Sequence, residues 1–258
     1  MPRIASLQAL ERAAAGFEVT DLKLTVEPSA RAAVRRSLDD SGLLLLGEVH
    51  GVRENPLLIH ALMQAFGLNG LALEWPADLT GAIGAFLGGK TLPDHPMLWL
   101  GDGRLTAGHL AILRRRARTG QLALALFDEA ADIDRSWSEH DQVMAGQVLA
   151  SATAAAGTLV VAGSAHTLTG PSSLGFPLGA CLDQKRPGVR NIRISYGRGG
   201  YYNMQPRHFY PSVSIWPSHV RLYEEQGDLI LELPAATEAT VPHRPLPWPQ
   251  FSLARQAS

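Results

Sequence analysis

Four apolar runs of strand length punctuate the first two-thirds of the chain: Leu43 to Leu46, Leu71 to Trp75, Leu122 to Phe127 and Leu159 to Ala162. Each is continuous rather than alternating, the pattern of strands buried on both faces of a parallel sheet. Around these runs apolar residues recur at three-to-four spacing, the helical period. That spacing predicts helices over Ile4 to Ala15 and Ala30 to Leu38, the second introduced by Pro28 and Ser29. Leu57, Leu58, Ala61, Leu62, Ala65 and Phe66 form the apolar face of a third helix, and Leu79 to Leu87, Leu110 to Ala117 and Glu139 to Ala156 supply three more. Leu22 to Val26 alternates like a short strand. Strands and helices in this alternation predict an α/β fold, a mainly parallel β-sheet flanked by helices on both faces.

Beyond about residue 170 the pattern changes. Gly170, Pro171, Gly175, Pro177 and Gly179 predict a long loop, and Val189 to Tyr196 a further strand. Val220 to Tyr223 and Leu229 to Leu233 flank a polar turn at Glu224 to Asp228, which predicts a C-terminal β-hairpin extension. Pro242, Pro245, Pro247 and Pro249 predict an extended tail. Residues 1–240 therefore read as one α/β domain, with its core motifs within 40–170, and 241–258 as the tail.

Composition narrows the function classes. The 258 residues are 46% hydrophobic, enough for a substantial core. Lys plus Arg number 23 against 24 Asp plus Glu, a formal charge of −1. The densest basic cluster, Arg114, Arg115, Arg116 and Arg118, falls late in a helix, where it complements the dipole and reads as a solvated face. No nucleic-acid partner is expected. A single cysteine, Cys181, excludes an internal disulfide framework and a cysteine-rich zinc module, and nothing around it marks a nucleophile. No apolar run approaches the roughly 18 residues of a membrane span, and the N-terminal stretch carries Glu11 and Arg12 rather than a signal sequence. A cytoplasmic protein without a membrane partner, acting on a small molecule, is the expectation.

Ligands of open α/β sheets lie beyond the carboxyl ends of the strands, so the residues that follow each apolar run come first. After the first stands Gly47-Glu48-Val49-His50-Gly51, at the end of the second Glu74, after the third Asp128, and after the fourth Gly163-Ser164-Ala165-His166. One Gly-x-x-His is a weak signal. Two of them, on separate strands and with Glu48 and Glu74 nearby, predict a site where an imidazole takes a proton from water and a carboxylate fixes its tautomer. His50, Glu48, Glu74 and His166 are the catalytic candidates. Arg53, Arg104 and Asp128 are the substrate-binding ones, with either arginine able to stabilise an acyl oxyanion.

Plainer roles stand beside several of these. Gly101-Asp102-Gly103-Arg104 also reads as a tight turn, and Asp128 with Asp132 and Asp134 as a solvated acidic loop. Asp141 reads equally as the partner of Ser138 in a capping box. Glu54 suits the first turn of its helix, and His60 a packed helix face. His95, His109, His208, His219 and His243 have no matched partner in sequence. Two imidazoles and two carboxylates also suit a divalent ion such as Zn²⁺ or Fe²⁺, which His50, His166, Glu48 and Glu74 would then hold.

The two Gly-x-x-His elements resemble those of the superfamily that joins erythromycin esterases, ChaN-type haem-binding proteins and the TraB and Tiki proteins. Gly47-Glu48-Val49-His50 is similar to its first element, Gly163-Ser164-Ala165-His166 to its late one, and Glu74 takes the place of the acidic strand-end residue. Asp141-Gln142-Val143-Met144-Ala145 resembles an Arg-Asp-x-x-Met-Ala helix start, with His140 in place of Arg. The likeness spans residues 40 to 170. It implies hydrolysis of an ester or related bond in a small molecule, with no cofactor required. On its ChaN side it implies instead binding of haem or another small ligand without catalysis, with Tyr201, Tyr202 or His208 on the iron. The single residue between Glu48 and His50 is closer to the ChaN type, whereas Gly51 and Glu54 are closer to the esterases.

Overall fold

The chain, described over residues 3–129, 135–151, 157–210 and 219–243 of a computed structural model, alternates strands and helices much as its apolar pattern predicts. Strand β1 (Arg3–Ile4) precedes α1 (Leu7–Ala15), β2 (Leu24–Val26), α2 (Pro28–Ser41), β3 (Leu43–Glu48) and α3 (Asn55–Phe66). Then come β4 (Gly70–Pro76), α4 (Thr80–Leu87), α5 (Ala107–Arg118), β5 (Ala123–Asp128), α6 (Trp137–Ser151) and β6 (Thr158–Gly163). The rest comprises α7 (Leu178–Lys185), β7 (Arg190–Asn203), β8 (Gln205–Phe209), β9 (Val220–Glu225), β10 (Asp228–Ala236) and β11 (Val241–Pro242).

Local chemistry sets the helix ends. Pro28 opens α2, where its missing N–H costs nothing, and Gly42 ends it in the left-handed conformation that a side chain would resist. Ser6 and Thr106 cap α1 and α5 by accepting the backbone N–H groups of Ala9 and His109. The α6 cap is Ser136 with Glu139, whose carboxylate takes the Ser136 N–H. This corrects the predicted box of Ser138 with Asp141, for Asp141 is wholly buried and bonded elsewhere.

Nine of the described strands form one mixed sheet in the order β2-β9-β10-β7-β3-β6-β4-β5, with β8 hydrogen-bonded to β7, and β1 and β11 form a separate parallel pair. Pairings from β7 through β3, β6 and β4 to β5 are all parallel. The C-terminal hairpin of β9 and β10 extends this sheet, because β10 pairs parallel with β7 and β9 parallel with β2. Alternate residues of β3 serve the two faces. Leu44 and Leu46 join the core under α1 to α5, and Leu43 and Leu45 the core under α6 and α7. Among the described residues no helix is long and apolar enough to cross a membrane.

Several expectations change. The predicted loop around residues 170–179 runs into α7, which Pro177 introduces. Val241 and Pro242, the first residues of the predicted tail, pair with Arg3 and Ile4, and residues 244–258 lie outside the described set. Asp132 and Asp134 lie outside it as well. The arginine cluster is not simply solvated. Arg116 is buried and donates to the Leu68 and Gln121 carbonyls, and Arg114 lies 3.7 Å over the Phe86 ring.

Candidate functional site

The carboxyl ends of β3, β6, β4 and β5 lie side by side, so the residues that follow each apolar run come to one edge of the sheet. Glu48 ends β3, and its register partner on β6 is Gly163. His50 follows Glu48 by two residues, and its Nδ1 lies 3.1 Å from Glu48 Oε1. Glu74 reaches across from β4 and accepts the Gly163 N–H at 2.6 Å through Oε2, the oxygen that lies 4.0 Å from His50 Nε2. A Cβ on Gly163 would stand 3.2 Å from His50 Nε2 and 3.6 Å from both Glu74 Oε2 and His166 Cδ2. The sequence-predicted quartet of Glu48, His50, Glu74 and His166 therefore converges around one glycine.

His166 repeats the arrangement of His50. Its Nδ1 lies 2.7 Å from Oδ1 of Asp141, and the other Asp141 oxygen accepts the Leu178 N–H at 2.6 Å, tying α6 to the start of α7. Trp137 stacks on the imidazole at 5.0 Å between ring centres. In each histidine a buried carboxylate holds Nδ1, and His50 Nε2 and the Cδ2 edge of His166 face the space at Gly163. The loop carrying His50 is braced in turn: Val49 N–H donates to the Tyr196 hydroxyl, which donates to Asn55 Oδ1, and Asn55 Nδ2 donates to the Val49 carbonyl.

The electrostatics follow from burial and neighbours. Burial works against a charged imidazole at His50 and His166, yet the carboxylates of Glu48, Asp141 and Glu74 outweigh it, and both groups titrate above the ordinary histidine range. Burial pushes the Glu48 carboxyl up, with His50 opposing. Burial pushes on Glu74 the same way, but His50, Arg104, His166 and the Gly163 N–H prevail and hold it below the usual carboxylate range.

Arg104 lies at the β4 and β5 side of this group. Its guanidinium contacts Asp102 at 2.7 Å, Glu74 at 3.4 Å and Asp128, and its carbonyl accepts the Trp75 indole N–H. Asp128 is buried and also faces His140, whose Nε2 is 3.1 Å from Oδ1. The solvated-loop reading of Asp128 is corrected, for it is buried, and the Gly101 to Arg104 segment is a turn that also carries half-buried Arg104 to three carboxylates, Asp102, Glu74 and Asp128. Arg53 does not join the site. It lies 5.2 Å over the Phe17 ring, and its backbone N–H bonds to the Thr237 carbonyl.

The haem-ligand candidates stand on the β7–β8 hairpin. Tyr202 is buried with its hydroxyl on the Met204 carbonyl, Tyr201 packs 4.7 Å from Phe209, and His208 pairs with Gly200 across the ladder. Among the described residues no group of three or more His, Cys, Asp or Glu side chains is arranged to hold a metal ion. Sequence reasoning missed Asp141 as the partner of His166, although the Asp-x-x-Met-Ala likeness marked it. It also set aside His109, which is buried, lines the space below His50, and packs edge-on 5.7 Å from Trp75.

No protein-family model matches the chain, and no curated protein matches it in sequence. In fold it is similar to a Bacillus cereus protein at a TM-score of 0.61 and 10% identity, covering 93% of this chain and 100% of that one. It is also similar to a succinoglycan biosynthesis protein at a TM-score of 0.59 and 10% identity, covering 80% and 91%. At that identity the likeness is one of fold.

Proposed function

We propose that the chain is a hydrolase of the superfamily that includes erythromycin esterases and ChaN-type proteins, cleaving an ester or related bond in a small molecule. The observation that carries this reading is the pair of imidazoles at neighbouring strand ends, each with Nδ1 on a buried carboxylate and both converging with Glu74 around Gly163.

The chemistry balances on these groups alone. His50 Nε2 takes one proton from water as the oxygen bonds to the carbonyl carbon, and Glu48 stabilises the imidazolium formed. Collapse of the tetrahedral adduct breaks the carbon–oxygen bond to the leaving group, which takes a proton from an imidazolium, so the enzyme returns to its starting state. The His50 imidazolium makes that second transfer, returning the proton it took, while His166, held by Asp141, borders the same glycine and helps to hold Glu74 ionised. Arg104 keeps Glu74 ionised and in place, and Glu74 favours the charged imidazoles.

The test is turnover of a panel of simple esters and lactones by untagged wild type, His50→Ala and His166→Ala, with and without chelator. The expected result is wild-type activity insensitive to chelator and lowered about 10²–10⁴-fold in His50→Ala. A folded His50→Ala protein that retains wild-type turnover overturns the assignment.

A further inference from the structure

The arginines late in α5 are the densest basic cluster of the chain, and nothing in the catalytic reading uses them. Arg114, Arg115, Arg116 and Arg118 place four guanidinium groups within five positions. Arg114 and Arg118 stand four residues apart and Arg115 and Arg118 three, so these three are neighbours on the helix surface. Like charges at those spacings repel, and a carboxylate partner ordinarily relieves them. Among the described residues no carboxylate pairs with any of the four, although Glu18 and Asp21 stand on the segment that Arg115 faces. Their field reaches His60, whose imidazolium is disfavoured first by burial and then by Arg115 and Arg116.

Neutral acceptors hold the cluster in place. Arg115 donates to the Val19 carbonyl at 3.1 Å, and Arg114 donates to the Phe86 carbonyl at 3.3 Å while its guanidinium lies 3.7 Å over the Phe86 ring. Backbone carbonyls fix the direction of these side chains and leave their charge uncancelled. Arg114, Arg115 and Arg118 border one groove of about 480 Å³ between the end of α1 and α5, a volume in the range of small-molecule sites. Half-buried Phe17 and Val19 form its apolar side. Since α5 runs from the loop of Arg104 back to the start of β5, the groove lies toward the amino ends of the strands, away from the imidazoles at their carboxyl ends.

We infer that this groove binds a metabolite-sized organic phosphate, its phosphoryl group on Arg114, Arg115 and Arg118 and its apolar part against Phe17 and Val19. A phosphate monoester carries about −1.5 to −2 charges near neutrality on three terminal oxygens, and so matches a set of guanidinium forks better than the single charge and two oxygens of a carboxylate. A free molecule fits better than a lipid surface, because membrane contact uses exposed large apolar side chains. Those that the described residues present, Leu168, Leu174, Phe176, Met204 and Tyr210, belong to none of the elements bordering this groove. The site stands apart from the hydrolase reading and holds or fails whatever bond the carboxyl edge cleaves.

The test is titration of the full chain with hexyl phosphate, followed by calorimetry and by NMR of the α5 backbone amides, beside inorganic phosphate, hexanoate and hexanol. One double variant is Arg115→Gln with Arg118→Gln, both exposed in the wild type, and its control is Arg35→Gln with Arg36→Gln, which removes the same charge from α2 outside the groove. Expected are amide shifts confined to α5 and the segment around Phe17, hexyl phosphate bound about tenfold or more tightly than inorganic phosphate or hexanoate, and no binding of hexanol. The α5 double variant should weaken hexyl phosphate about tenfold or more at an unchanged Tm, and the α2 control should not. Hexyl phosphate that fails to saturate the wild type by about 10 mM, or that binds no better than inorganic phosphate, overturns the inference without any variant. Equal loss in the two double variants overturns it as well. So does capture of the chain by phosphatidic acid vesicles that depends on Arg115 and Arg118 and that hexyl phosphate does not displace, which would assign the cluster to a lipid surface. A wild type that cleaves no ester removes the hydrolase reading and leaves every one of these outcomes as decisive as before.

Discussion

Asp141 commits one carboxylate oxygen to His166 and the other to the Leu178 N–H, with no exposed surface of its own. Asp141→Asn keeps the shape but removes the anion and offers an NH₂ where one of the two donors points. The expected result is a His166 pKa that falls from above the ordinary range to below it, because burial then acts with only Glu74 in opposition. NMR titration of the His166 ring reads this directly, and an unmoved titration would show that the pair is not electrostatic. The same pair makes a pH-dependent contribution to stability. A histidine whose pKa is raised by folding contributes fully below its unfolded value of about 6.5, and the contribution is lost as pH rises through the folded value. Wild type should therefore lose stability across that window in urea titrations, and Asp141→Asn should lose that part of the slope along with about 1–3 kcal/mol from the broken bonds. His50 and His166 were legible because each follows an apolar run by a fixed spacing. Asp141 and His109 were not, since they come from helices, where only the fold reveals which strand end they face.

At the scale of an element, the glycine that opens the second Gly-x-x-His turn and the one that follows the first have separable jobs. Gly163 takes an ordinary backbone conformation, and the Cβ of Gly163→Ala meets His50 Nε2 at 3.2 Å, so the imidazole must give way by a few tenths of an ångström. Stability should change by less than about 1 kcal/mol, while kcat/KM should fall about tenfold or more through misplacement of His50. Gly51 has φ +77°, and a Cβ there overlaps the Tyr202 carbonyl. Gly51→Ala is accordingly expected to cost about 3 kcal/mol or more, visible as a lower urea midpoint, whatever it does to activity. If both variants behave alike, the distinction between a site glycine and a docking glycine fails. The strands β3, β4 and β6 were legible as continuous apolar runs because both of their faces are covered, and β5, at the sheet edge, because its second half is buried. The eight-residue α7 was not, because Gly170 to Pro177 dominate the local signal and its apolar residues number too few for a period to emerge. The extra length of β7 and its pairing with β8 were missed for a related reason: the turn between them is made by Met204 at φ +57°, a residue that carries no turn signal.

Across the whole molecule Arg104 ties together elements distant in sequence, reaching Glu74 at the end of β4, Asp128 at the end of β5 and Asp102 in the loop before α5, while its carbonyl holds Trp75. The site is thus a cluster of buried carboxylates and imidazoles made tolerable by one guanidinium, which the surrounding carboxylates keep protonated well above its ordinary range. Removing one partner of such a cluster leaves uncompensated buried charge, which costs about 3–5 kcal/mol. Arg104→Met, which keeps much of the stem's volume, should be destabilised by that amount at neutral pH. The pH dependence distinguishes this cause from lost packing. In wild type the Glu74 pKa is depressed, so its contribution is present above the unfolded carboxylate value of about 4.3 and is lost as pH falls through the folded value. Without the guanidinium, burial and mutual repulsion push the Glu74 and Asp128 carboxyls up instead, and protonation relieves the variant as pH falls through their raised values. The stability gap between wild type and Arg104→Met should therefore narrow on acidification, measured as urea midpoints from pH 7 down to pH 4.5. A gap constant across that range would mean that Arg104 stabilises the fold by packing alone, and Glu74 would then owe its charge state to His50, His166 and the Gly163 N–H.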